Sequence, residues 1–152
     1  MPSRRLLPVA LLAALLALAP VRADAHAATK VDATVVVGDG YRPLAATTAP
    51  YTYSSEPCAV HVVVRRAKVS AHDALATARG AGCVSSYEVV RSDAGSYLRC
   101  VEGRCEAPGY YWAIYLNGSL TCAGLDDIEV KPGDEVAFSY ETYPTALALA
   151  AC

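Results

Sequence analysis

The sequence predicts an α+β domain: a mixed β-sheet with one packed helix, stabilised by disulfides. Three observations predict it. Runs of β-branched and aromatic residues recur along the chain, alternating with period two and separated by turn residues. A single stretch, Ser70 to Gly82, opens with a helix-start signature and then carries apolar residues at helical spacing. Six cysteines, Cys58, Cys83, Cys100, Cys105, Cys122 and Cys152, all follow an N-terminal segment of export type.

In that segment Arg4 and Arg5 precede an apolar run from Leu6 to Ala19, and small residues follow at Ala23, Ala25 and Ala27. A basic start, an apolar centre and a small-residue cleavage region describe a secretory signal. Residues 1–25 are therefore read as a signal peptide and 26–152 as one domain, secreted and without a membrane anchor. The apolar run falls short of the ~20 residues a membrane span needs. No cysteine precedes Cys58 to take a lipid. The full chain carries a formal net charge of −2. Arg4, Arg5, Arg22 and Asp24 leave with the signal, so the mature part is more acidic still. Nucleic-acid binding needs clustered positive charge. The longest basic run, Arg65-Arg66-Ala67-Lys68, reads as a solvated strand end, and nucleic acid is not an expected partner.

The first strand spans Lys30 to Val37 and stops at Gly38-Asp39-Gly40. Tyr41 to Pro57, rich in Pro, Thr, Ser and Tyr, reads as a long loop, which in a compact domain points to function or disorder. Ala59 to Val69 is a second strand, with Val60, Val62 and Val64 on one face and Ala59, His61 and Val63 on the other. Ser70 can cap the helix that follows, and Asp73 can answer as in a capping box. That helix passes Leu75 and Ala78 and ends at Gly80 or Gly82. Tyr87 to Arg91 and Ser96 to Val101 are short strands around Asp93-Ala94-Gly95. Tyr110 to Leu116 runs directly into Asn117-Gly118, the strongest short hairpin signal, because a type I′ turn needs φ > 0 at both central residues. A last strand pair is expected on either side of Pro132-Gly133, where a type II turn suits proline then glycine. Strand, strand, helix, then strands is an α+β order, and a β-grasp is the arrangement it favours.

An even number of cysteines in a small exported chain argues for disulfides rather than metal ligands. One pair can be argued from spacing: a four-residue turn, Val101-Glu102-Gly103-Arg104, brings Cys100 and Cys105 together across a hairpin. Cys152, at the end of an Ala/Leu-rich tail, is best used as a staple. The Cys100-x4-Cys105 spacing lacks a second matching pair for zinc, so neither metal nor cofactor is expected.

Signals for catalysis are weak. His61 and His72 stand apart from any nucleophile, and no nucleophile elbow, zinc-protease or phosphate-loop motif occurs. Asp126-Asp127 with Glu129 lacks calcium-loop spacing and reads as an exposed turn. Asn117-Gly118-Ser119 satisfies the glycosylation rule, but the turn accounts for this asparagine. The expectation is a non-enzymatic protein. Tyrosine is the unusual residue, 10 against one Phe and one Trp. Its rigid ring and polar tip suit binding surfaces. Alternation puts Trp112, Ile114 and Leu116 on a core face and Tyr111, Ala113 and Tyr115 on the other. Tyr111, Tyr115 and Asn117, with Tyr51 and Tyr53 of the long loop, are the candidate ligand contacts.

Trp112-Ala113-Ile114-Tyr115-Leu116-Asn117-Gly118 followed by Pro132-Gly133-Asp134-Glu135-Val136 resembles the transcobalamin-like C-terminal domain, a domain of unknown function in secreted bacterial proteins. The resemblance spans residues 31–142 and is specific over 110–140. It implies a β-grasp fold and binding of a small soluble ligand; an extracellular protein is the other partner expected of a secreted binding module. In transcobalamin and intrinsic factor such a domain closes over cobalamin held by a helical-barrel domain. By this resemblance, ligand contact belongs at Tyr111-Trp112 and at Tyr115 to Gly118. This sequence carries no such barrel, so weak cobalamin binding or none is expected of it. The alternative is a secreted serine-protease inhibitor presenting Arg104 from the clamped loop 100–105.

Overall fold

The computed structural model describes residues 27–39, 56–93 and 95–142. The signal segment, Tyr51, Tyr53 and Cys152 lie outside the described residues. In chain order the elements are β1 (Thr29–Asp39), β2 (Cys58–Val64), β3 (Val69–Ser70), α1 (Ala71–Gly80), β4 (Tyr87–Ser92), β5 (Gly95–Val101), β6 (Arg104–Cys105), β7 (Tyr110–Leu116), β8 (Ser119–Leu120), β9 (Glu129–Val130) and β10 (Glu135–Thr142). A five-stranded sheet runs β2-β1-β10-β7-β8. The neighbouring interior strands β1 and β10 are parallel, and every other pairing in it is antiparallel. The architecture is α+β, with α1 the single helix among the described residues.

Alternation explains the core. Val31, Ala33, Val35 and Val37 of β1 point to one face with Val60 and Val62 of β2, Val136 and Phe138 of β10, and Trp112 and Ile114 of β7. The helix packs on this inner face, chiefly over β2, through Ala71, Ala74, Leu75 and Ala78. Phe138 and Leu75 are both fully buried, each worth ~1.5–3 kcal/mol by removal from water. At the start of α1 the predicted capping box forms. The Ser70 hydroxyl accepts from the Asp73 amide, and the Asp73 carboxylate accepts from the Ser70 amide at 2.7 Å. Burial would raise the Asp73 carboxyl, but hydrogen bonds from Ser70 and the Arg66 guanidinium beside it hold it below its ordinary value.

A second, three-stranded sheet runs β4-β5-β6 and sends Leu98 and Val101 into the same core. Cys58–Cys83 ties the start of β2 to the chain just beyond α1, and Cys100–Cys105 joins β5 to β6. Cys122 is also disulfide-bonded.

Three expectations need correction. The second strand ends at Val64, not Val69, because the exposed Arg65–Lys68 segment bends, and Val69–Ser70 pairs instead with Glu129–Val130. The Pro132-Gly133 turn forms, with Gly133 at φ 87° and the Asp134 amide donating to the Lys131 carbonyl at 3.1 Å. Its flanking strands, however, do not pair with each other: β9 joins β3, and β10 enters the large sheet between β1 and β7. Between the paired Val101 and Arg104 the turn has two residues rather than four, with Glu102 at φ 53° and Gly103 at φ 76°.

Candidate functional site

Where β7 begins and β10 finishes, the inner face of the sheet ends in aromatic residues. Tyr140 lies opposite Trp112, and Thr142 opposite Tyr110, so Tyr110 and Tyr140 are diagonal neighbours on one face. Their rings are within 5° of parallel with centroids 5.5 Å apart. Trp112 leans on Tyr140 at 5.2 Å, and the Arg104 guanidinium lies 5.1 Å from the centre of the same ring. The polar tips are anchored. Trp112 Nε1 donates to the Arg104 carbonyl at 3.0 Å, and the Tyr140 hydroxyl donates to the Cys105 carbonyl at 2.9 Å. Tyr110 remains 44% exposed at the end of this rigid stack.

The opposite face holds the tyrosines singled out from the sequence. Tyr111 and Tyr115 are each half-buried. The Tyr115 hydroxyl donates to Glu141, 2.9 and 3.1 Å from the two carboxylate oxygens. Tyr115 pairs with Ala137, so to reach Glu141 its ring must recline along the strands over the Ala113–Ser139 pair. Ala113 and Ser139 are small and buried, which leaves room for that ring. Asn117 is fully employed in the fold. It sits at φ 49°, its Nδ2 donates to Asp134 at 2.7 Å, and its Oδ1 accepts from the Glu135 amide at 2.9 Å.

A third cluster centres on Asp126. The Ser96 hydroxyl donates to it at 2.7 Å, His72 Nδ1 lies 2.9 Å away, and the Arg91 guanidinium 3.8 Å away. The Ser96 hydrogen bond, against a desolvation cost and with help from His72 and Arg91, holds the Asp126 carboxyl below its ordinary value. Gly124 permits this approach: a Cβ there would lie 3.1 Å from both Ser96 N and O. Serine, histidine and aspartate thus meet, but the carboxylate stands in the middle. The serine proton is directed to Asp126 and not to an imidazole, so the order differs from that of a Ser-His-Asp triad, in which the imidazole stands between hydroxyl and carboxylate. The cluster joins the start of α1 to β5 and the 124–128 loop.

On the exposed face of β1 and β2, His61 Nδ1 lies 2.6 Å from Asp32. A shallow groove of about 440 Å3 beside them is also lined by Thr34, Ala59 and Gly133. Among the described residues no three His, Cys, Asp or Glu side chains converge to hold a metal ion. Also among them, no helix is long and apolar enough to cross a membrane.

Loop 100–105 does not suit a protease inhibitor. A loop read by a protease cleft must lie extended with its scissile carbonyl accessible. Here the Arg104 carbonyl accepts the indole N–H, the guanidinium lies over Tyr140, and the chain turns back within two residues. Sequence reasoning missed Tyr110, Tyr140 and Arg104 as a unit. Tyr110 and Tyr140 meet only through the β7–β10 pairing, and no local signal announces it.

A family model described as "Domain of unknown function (DUF4430)" matches residues 84–142. No curated protein matches the chain. Among solved structures, haptocorrin in complex with Cbi is similar, with a TM-score of 0.56 at 14% identity over 76% of this chain. The chain spans 26% of the haptocorrin chain. A "putative metal binding protein" from Ruminococcus gnavus ATCC 29149 is similar over 75% of this chain and 99% of its own, with a TM-score of 0.50 at 14% identity. At these identities the likeness is one of fold, and it is consistent with a transcobalamin-like domain.

Proposed function

We propose that the chain is a secreted, non-enzymatic binding module of β-grasp type that takes a small ligand on the aromatic end of its large sheet. Residues 1–25 act as the export signal and 26–152 as the single working domain. The disulfides Cys58–Cys83 and Cys100–Cys105 are compatible with an extracellular location. The single observation that carries the reading is the stack of Tyr110 on Tyr140, backed by Trp112 and Arg104, with Tyr110 still 44% exposed. Anchored aromatic rings lose little freedom on binding, so they suit contact with a flat or apolar ligand. The likeness to haptocorrin supports a corrinoid as the first ligand to test.

Calorimetric titration with cobalamin, paralleled by fluorescence of Trp112, the chain's one tryptophan, tests this directly. Weak saturable binding is expected, lost in Tyr110→Ala while the melting temperature barely moves. Binding that survives Tyr110→Ala removes this surface from the reading, and no heat at all with cobalamin removes the corrinoid.

A further inference from the structure

Backbone phase identifies a second surface. The Gly133 amide donates to the Asp32 carbonyl at 2.8 Å, and the Thr34 amide donates to the Asp134 carbonyl at 2.9 Å. The backbone groups of Asp32 and Thr34 therefore face the β10 side of β1. Alternate residues face the other way. Val31, Ala33 and Val35 thus address β2, where they stand opposite Val62, Val60 and Cys58. It follows that Ala59, His61 and Val63 aim their N–H and C=O groups outward, away from the sheet. Among the described residues β2 pairs with β1 alone, and no backbone partner meets those outward groups.

The edge strands β4, β6 and β8 are blunted in ways proteins use against unwanted pairing. Strands β6 and β8 are two residues each. β4 carries an irregularity between Glu88 and Val89, together with the charges of Glu88 and Arg91. β2 has none of these devices. It is seven residues long, Cys-Ala-Val-His-Val-Val-Val, paired in unbroken register, and Val63 is 52% exposed. At its C-terminal end three cations follow. Arg66 is held by Asp73, and Lys68 by Glu129 at 3.1 Å. Arg65 is exposed and has no carboxylate in ion-pair range among the described residues.

We propose that the β2 edge is a docking edge for an extended peptide segment of a partner protein, apolar along its length and acidic at its N-terminal end. The segment pairs antiparallel, so its N-terminal end meets Arg65, and it satisfies the outward groups of Ala59, His61 and Val63. A single added strand suits this edge better than a second copy of the chain. Because α1 packs chiefly over β2, two-fold pairing would drive helix against helix.

The test uses the full mature chain and a capped synthetic peptide, DEVTVTV, with amide hydrogen exchange read by NMR. In the free protein the Ala59, His61 and Val63 amides should exchange quickly while Val60 and Val62 are protected, and the peptide should protect the first three. His61→Pro removes one outward N–H without touching the β1 ladder, a position where an edge strand tolerates proline, and it should abolish binding. Arg65→Glu should weaken the peptide about fivefold and leave the melting temperature unchanged, which keeps the test decisive if the proline variant does not fold. Three outcomes would overturn the proposal: the three amides already protected in the free monomer, peptide binding that leaves them unprotected, or a dimer that His61→Pro disperses.

Discussion

Two hairpins of this molecule turn through similar backbone geometry, yet different chemistry holds each. Between β7 and β8 the turn is Asn117-Gly118, at φ 49° and 79°. Between β5 and β6 it is Glu102-Gly103, at φ 53° and 76°. Asparagine enters the left-handed region at little cost, and its carboxamide then fastens Asp134 and Glu135. Glutamate has no such preference, and the left-handed conformation costs it ~1–2 kcal/mol. Tertiary contacts offset that cost: the Glu102 carboxylate takes both the amide and the hydroxyl of Ser85, and Cys100–Cys105 closes the strands. One turn is specified locally and holds the sheet together. The other is imposed by its surroundings.

Trp112 joins the two, since it lies on β7 of the first hairpin and its indole donates to Arg104 in the second. Trp112→Ala should be the most damaging change, costing ~3–5 kcal/mol as large aromatic deletions from cores do. It should also free the β5–β6 hairpin, read as faster exchange of the Arg104 and Glu106 amides, which face β5, with the disulfide intact. A loss below about 1 kcal/mol would mean that the hairpins are stabilised separately.

Gly118→Val and Gly103→Val separate the turns themselves. Both glycines need φ > 0, so each substitution should cost ~1–3 kcal/mol. Their consequences should differ. Gly118→Val should loosen β8 and release the Asn117 contacts to Asp134, whereas Gly103→Val should leave Cys100 and Cys105 bonded and the strands closed. Equal global melting losses with equal local exchange would erase the distinction.

How much of this was legible follows the same division between local and imposed structure. Asn117-Gly118 could be read because its signal lies within two residues, and so could the Ser70–Asp73 capping box and the alternation of Val60, Val62 and Val64. The Trp112 face is core, as alternation implies, but the Tyr115 face could not be read as it stands, because Glu141 reaches it from another strand. Pairing partners were least legible. Pro132-Gly133 announces a turn, yet nothing local says that its two arms enter different sheets. His72 and Asp126 are separated by 54 residues, so their meeting depends on the completed core. Glu102-Gly103 looked like part of a longer loop because glutamate at φ > 0 is no turn signal.

The smallest expected effect bears on why Glu102 tolerates its turn. Its carboxyl is held below the ordinary value of 4.5, first by the Ser85 hydroxyl and then by the Ser85 amide. A carboxyl depressed on folding contributes stability above its unfolded value, and that stability is lost as pH falls through the folded one. Glu102 is exposed, so solvent screens the contribution and it should be modest. Glu102→Gln keeps the shape and an acceptor for Ser85 but removes the charge. The variant should therefore melt below the parent chain near pH 7, and the gap should close as pH drops below 4.5. Asp73 and Asp126, also depressed, lose their contributions in the same acid range, and Glu106, raised by burial, shifts the other way. All three act equally in parent and variant, so the difference between the two melting curves isolates Glu102. A gap that stays constant from pH 7 to pH 3 would mean the charge is not what holds this turn. Gly103 and the Cys100–Cys105 bond would then be sufficient to impose it.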